Sequence, residues 1–131
     1  SSAARAFLAA CNSSLFYWFV TVLSDCRHLN KREVEGFPLI KALLSPALAK
    51  RVDVGVTQLM SDMNTKSETR VMKFKHDELT VQCLLPRKSW PAIQVLDAIV
   101  AEAADFSSAE ADYIANYDVK YRFGRGWGQD D

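Results

Sequence analysis

The sequence predicts an α+β fold, a mainly helical single domain with one small antiparallel β-hairpin. Three observations point there. Apolar residues recur at spacings of three and four along several long stretches, the period of a helix face. Serine-proline and serine-x-x-glutamate signals stand at the heads of such stretches, where helices begin. Residues 70–74 and 79–84 are instead two short strand-like runs about a polar turn, with Leu79, Val81 and Cys83 alternating with Thr80 and Gln82. With 131 residues, 49% of them apolar, the chain can bury one ordinary core. One domain is expected over residues 1–124, followed by a flexible tail, 125–131.

Residues 3–11 form a short helix-compatible run with Phe7, Leu8 and Cys11 on one side. The most apolar segment follows, residues 12–26, read as the helix on which the core is built. Leu15, Phe16, Phe19, Val22, Leu23 and Cys26 make its stripe, and Asn12 is a suitable N-cap. Phe16, Tyr17, Trp18 and Phe19 put aromatic surface on every side of one turn, which predicts neighbours all round. The apolar run from Leu15 to Leu23 is far shorter than the roughly 20 residues a membrane span requires.

Residues 27–34 change character, with Arg27, His28, Asn30, Lys31 and Arg32 close together. Two readings stand. The cluster is a solvated helix end, where cations suit the negative pole of the helix dipole. Alternatively it is a phosphate-contacting loop, since Arg, Lys, His and Asn are the donor types such contacts use. Residues 34–40 read as a short extended piece, with Pro38 holding Phe37 out of the helical region.

Ser45 and Pro46 open the next helix, with Leu48, Val52, Val56, Leu59, Met60 and Met63 as its stripe. Gly55 interrupts it, at a cost of about 1 kcal/mol relative to alanine, or marks a close helix contact. The polar run 64–68 ends it. The hairpin is expected to pair residues 70–74 with residues 79–84, half-buried, with His76 in the turn. Ser89, Trp90 and Pro91 start a further helix with Ile93, Leu96, Ile99, Val100 and Ala103 facing the core. Ser107 and Glu110 form a capping box that opens the last helix, with Tyr113, Ile114, Tyr117 and Tyr121 as its stripe and Gly124 as C-cap.

Composition narrows the function. Sixteen basic residues balance sixteen acidic ones, so binding to nucleic acid would rest on a local basic patch rather than on net charge. Three cysteines, Cys11, Cys26 and Cys83, lack C-x-x-C spacing, and reduced thiols in a cytoplasmic protein are the simpler reading. The chain begins at Ser1 without an initiator methionine, which suggests a piece of a longer protein. No phosphate-cradling glycine loop, paired-histidine metal motif or nucleophile elbow is present. Asp118-Val119-Lys120 matches the acid-x-lysine element of metal-dependent nucleases, with Asp97, Asp105 or Asp112 as a second carboxylate. That element needs a strand to put both residues on one face, and here it falls in a helical stretch.

Two segments carry a resemblance. Phe7-Leu-Ala-Ala-Cys-Asn-Ser-Ser-Leu-Phe-Tyr-Trp18 resembles a helix near the end of the target-recognition domains of bacterial restriction-modification adenine-specific DNA methyltransferases. Cys11 stands where that pattern usually has leucine. Lys88-Ser-Trp-Pro-Ala-Ile-Gln-Val-Leu-Asp97, continuing through residues 106–110 and 113–124, is similar to the C-terminus of the same enzymes. The piece ending Gly36-Phe37-Pro38 also resembles a proline-containing strand of those domains.

The resemblance implies a larger enzyme that uses S-adenosylmethionine on double-stranded DNA and has a separate N-terminal methyltransferase domain. The cofactor loop and the Asn/Asp-Pro-Pro-aromatic tetrapeptide that holds a flipped adenine are both missing from this chain. A non-catalytic C-terminal part, binding no cofactor itself, is therefore expected. It would assist target recognition through phosphate contacts from Arg27, His28, Asn30, Lys31 and Arg32, with Lys88 a further candidate. The alternative is a helical scaffold that braces a partner domain or subunit without touching DNA. A small free-standing enzyme would need a catalytic constellation, which the sequence lacks.

Overall fold

A computed structural model describes residues 1–123. Eight α-helices and a two-stranded antiparallel sheet form one small, mainly helical domain among these residues. In order they are α1 (Ser2–Cys11), α2 (Ser14–Leu23), α3 (Lys31–Gly36), α4 (Ile40–Leu43), α5 (Pro46–Thr65), β1 (Glu68–Lys73), β2 (Glu78–Cys83), α6 (Trp90–Ala103), α7 (Ser108–Asn116) and α8 (Val119–Phe123). A 3-10 turn, Pro86–Ser89, leads into α6. The expected C-cap Gly124 and the tail 125–131 lie outside the described residues.

The hub is α5, not the aromatic helix. Its stripe of Leu48, Val52, Val56, Leu59 and Met63 is buried as its periodicity requires, and it packs on α6, α1 and α4. Gly55 sits at the α5–α6 crossing, where an added Cβ would lie 2.8 Å from Leu96 Cδ2. The missing side chain is what lets the two helices approach there. Across the crossing, α6 buries Ala92, Ile93, Leu96, Ile99 and Val100. Arg51 on α5 pairs with Glu102 on α6, and Arg5 on α1 reaches Asp53 at 2.9 Å and Thr57 Oγ1 at 2.8 Å.

Several expectations are corrected by this arrangement. In α1 the buried face is Ala6, Ala9 and Ala10, while Phe7 and Leu8 are exposed, because small side chains let α1 lie close against α5. Asn12 does not cap α2. It is the C-cap of α1, and Ser13 caps α2 by accepting a hydrogen bond from the Phe16 N–H at 3.2 Å. Helix α2 stops at Leu23, three residues before Cys26, whose φ of 58° is incompatible with a continuing helix.

Only the first turn of α2 is buried, at Ser14, Leu15 and Phe16, whereas Val22 and Leu23 face outward. The helix runs past the neighbours that cover its start. Among the described residues no single helix is long and apolar enough to cross a membrane. The α1–α2 pair passes that test only jointly and is bent by 65°.

Residues 34–40 are not an extended piece. Asn30 caps α3, its backbone N–H donating to Glu33 Oε2 at 3.0 Å, and only Phe37 keeps the extended conformation that Pro38 demands. Phe37 is buried edge-on between Phe16 (5.3 Å) and Phe19 (5.4 Å). The last helix is broken in two. Tyr117 is extended and Asp118 has a φ of 56°, so Tyr113 and Tyr121 stay exposed instead of joining one buried stripe. The Ser107–Glu110 capping box at the head of α7 forms as expected.

The hairpin pairs Glu68 with Cys83 through Lys73 with Glu78, leaving residues 74–77 as the turn. It is not half-buried. Its link to the helices is slight, through Gln82 at its base, which donates to Asn64 of α5 at 3.5 Å, and every residue from Thr69 to Thr80 is exposed.

Candidate nucleic-acid interface

The structure divides the expected contact residues between two places. Arg27, His28, Asn30, Lys31 and Arg32 lie on the 24–30 loop and the first turn of α3, all exposed. Lys88 lies elsewhere, in the 3-10 turn at the base of the hairpin.

The 27–32 cluster is electrically balanced. Asp25, Glu33 and Glu35 are interleaved with Arg27, Lys31 and Arg32, and the geometry pairs His28, Lys31 and Arg32 with them. The Asp25 carboxylate accepts from the backbone N–H groups of Arg27 (3.0 Å) and His28 (3.2 Å), and it lies 3.4 Å from His28 Nδ1. Those backbone bonds, first that from Arg27, hold the Asp25 carboxyl below its ordinary range. Arg32 contacts buried Glu33 at 3.0 Å, and Lys31 lies 3.5 Å from Glu35 one turn on. Glu33 is also held low, first by its own backbone N–H and further by Arg32 and the Asn30 N–H. Asn30 is used as the helix cap. The loop is thus a folded structural turn in which Lys31 and Arg32 each have a neighbouring carboxylate, while Arg27 contributes its backbone N–H to Asp25.

Lys88 is similarly engaged. Its Nζ sits 2.7 Å from Glu68 Oε1, its carbonyl accepts from Lys66 Nζ at 2.8 Å, and the pair holds the Glu68 carboxyl low.

A second constellation, which the sequence reading considered only as loose carboxylates, joins distant parts of the chain. Asp97 on α6 accepts from the Ser14 backbone N–H at 2.6 Å and from the Ser14 hydroxyl at 2.6 Å. The carboxylate therefore satisfies one of the free N–H groups at the start of α2. Arg122 on α8 donates to the same Ser14 Oγ at 2.9 Å, and its guanidinium lies over the Tyr17 and Trp90 rings at 4.7 and 5.5 Å. Trp90 and Phe123 meet edge to face at 4.6 Å.

Burial raises the Asp97 carboxyl above its ordinary range, against the opposing hydrogen bonds from Ser14. Burial likewise pulls the Arg122 guanidinium down. Asp118, in αL conformation, accepts backbone bonds from Tyr121 and Arg122, so the acid-x-lysine element acts as the start of α8. Asp105, also αL, terminates α6.

An open groove of about 590 Å³ runs along one face of α5 between Asp53 and Thr65. It has no glycine turn and no strand end to cradle a nucleoside, so its residues do not fit S-adenosylmethionine. Among the described residues no three His, Cys, Asp or Glu side chains are placed to share a metal ion. The described cysteines are free thiols, and burial raises that of Cys11. Comparison with protein-family models, curated proteins and solved structures found no match to the chain.

Proposed function

We propose that this chain is a non-catalytic C-terminal part of a cytoplasmic restriction-modification adenine-specific DNA methyltransferase, and that it helps to position double-stranded DNA beneath a separate catalytic domain. The observation that carries this reading is the meeting of Ser14, Asp97 and Arg122. These residues come from the two segments that resemble the methyltransferases, more than 80 residues apart, and they close on one another in a single cluster with Tyr17 and Trp90. Two motifs that belong to one functional unit should pack together in this way. S-adenosylmethionine would belong to the catalytic domain.

The pairing of His28, Lys31 and Arg32 with Asp25, Glu35 and Glu33 favours a second reading, in which the helical body is a scaffold and its charges are solvated surface.

Calorimetry and electrophoretic binding with the purified chain separate these readings. The proposal expects no heat with S-adenosylmethionine, and it expects salt-sensitive binding to duplex DNA. Cofactor binding by the chain alone would overturn the non-catalytic assignment, and folded chain without duplex binding would establish the scaffold instead.

A further inference from the structure

Beyond a base tied down by Gln82 to Asn64 and by Glu68 to Lys88, the β1–β2 hairpin projects into solvent, with every residue from Thr69 to Thr80 exposed. An isolated two-stranded hairpin is marginal in water, so one that exposes apolar surface calls for a partner. Here the exposed surface has a definite chemistry. Between Lys66 and Lys88 there are six Lys and Arg against three Asp and Glu, in a chain whose total charge is zero. The helical body is therefore net acidic and the arm net basic.

The distribution within the arm is also graded. At its base Lys66, Arg70 and Lys88 pair with Asp62 and Glu68. At its tip Lys73 and Lys75 make no ion pair among the described residues. Between them Phe74 is 60% exposed, and His76 follows in the turn. Six-residue strands give a ribbon about 20 Å long. A two-stranded ribbon of that kind fits the roughly 12 Å width of a DNA major groove.

We infer that this hairpin is the DNA-contacting element of the chain, with Lys73, Lys75 and His76 at its tip meeting phosphates and Phe74 set against the bases. The inference rests on the DNA-positioning reading and moves the contact away from the charge-balanced 27–32 loop. Asp77 and Glu78 share the tip, Glu78 opposite Lys73, but neither lysine is held in an ion pair among the described residues; an unpaired cation releases counterions on binding phosphate without first giving up a partner.

The test is fluorescence anisotropy with a random-sequence duplex of about 30 base pairs, titrated at several salt concentrations from about 50 mM upward. Wild type is compared with Lys73→Ala/Lys75→Ala, with Phe74→Ala, and with Lys31→Ala/Arg32→Ala. All the arm changes fall on exposed residues, and circular dichroism verifies that each variant folds.

Two lost phosphate contacts should lower affinity about tenfold and reduce the slope of log affinity against log salt by about 1.8. Phe74→Ala should weaken binding with the slope kept, and Lys31→Ala/Arg32→Ala should bind nearly as wild type. Unchanged affinity and slope in Lys73→Ala/Lys75→Ala, with wild type binding, would overturn the arm assignment while leaving the DNA reading intact. Failure of wild type to bind at all would overturn both. A dimer of wild type in sedimentation that Phe74→Asp dissociates would show that a second copy covers the arm, and would also overturn the inference.

Discussion

Replacing Asp97 with alanine removes the acceptor that holds the start of α2 to α6 and takes away the carboxylate charge that acts on Arg122. Two bonds at 2.6 Å are lost, one from a backbone N–H and one from a hydroxyl, both partly buried. Hydrogen bonds to charged groups contribute about 1.5–3 kcal/mol each, and an uncompensated donor costs about 1–3 kcal/mol. Removing the carboxylate also relieves the desolvation that raises its pKa. The balance is a loss of about 2–4 kcal/mol for Asp97→Ala, and about 1–2 kcal/mol for Asp97→Asn, which keeps one acceptor for the Ser14 N–H. Urea unfolding followed by circular dichroism should show the midpoint falling with the slope unchanged.

The pH dependence carries a sign of its own. Because burial raises the folded-state pKa of Asp97, the unfolded chain loses this proton first as pH rises. This residue's contribution is thus greatest below the unfolded value of about 3.9 and declines as pH climbs through the folded value. Asp25, Glu33, Asp62, Glu68 and Glu110 act oppositely, since their lowered values give stability that is present above the ordinary carboxylate range and lost on acidification. The difference curve between wild type and Asp97→Asn isolates the one from the others, and it should shrink as pH rises. An Asp97→Ala variant within about 0.5 kcal/mol of wild type would refute the clasp, since that is the ordinary range for an inert surface change.

Two further predictions probe the helical body. Gly55→Ala should destabilise by about 1–2 kcal/mol despite alanine's better helix propensity, because its Cβ meets fully buried Leu96; a raised melting temperature would mean that the α5–α6 crossing has room. Asp105→Gly should stabilise by about 1 kcal/mol, because Asp105 holds a φ of 56° after α6 while the Phe106 N–H bonds the Ala101 carbonyl, a position glycine fills without steric cost; a loss in thermal unfolding would show that the aspartate side chain contributes something more.

Local signals in the sequence carried much of the fold. Ser45-Pro46, Ser107-x-x-Glu110 and the period-two alternation at Leu79, Val81 and Cys83 placed α5, α7 and the hairpin, because each depends on neighbours within a few residues. The misreadings share one cause, which is that burial depends on where an element lies. The residue 12–26 segment is the most apolar, yet α5 is the hub, since the helix is twenty residues long and its stripe can serve several neighbours at once. Helix α3 hid behind a cationic cluster whose carboxylates, Glu33 and Glu35, turn out to pair with it. The break at Tyr117 and Asp118 carries no glycine or proline to announce it. Of the candidate site, the charges were visible in the sequence. Which of them are neutralised was not, because pairing between Lys88 and Glu68 depends on the hairpin's base meeting the 3-10 turn.

The reading of this chain as the DNA-positioning part of a methyltransferase is tested most directly by methyl transfer in the longer protein that the reading proposes. Labelled S-adenosylmethionine and duplex DNA would be supplied to the whole protein and to a version lacking residues 1–131. The account predicts adenine methylation by the whole protein, and a truncated protein that still binds cofactor but transfers methyl groups poorly because it no longer holds duplex DNA. Undiminished site-specific methylation by the folded truncated protein, or a whole protein that neither binds S-adenosylmethionine nor methylates adenine, would contradict it.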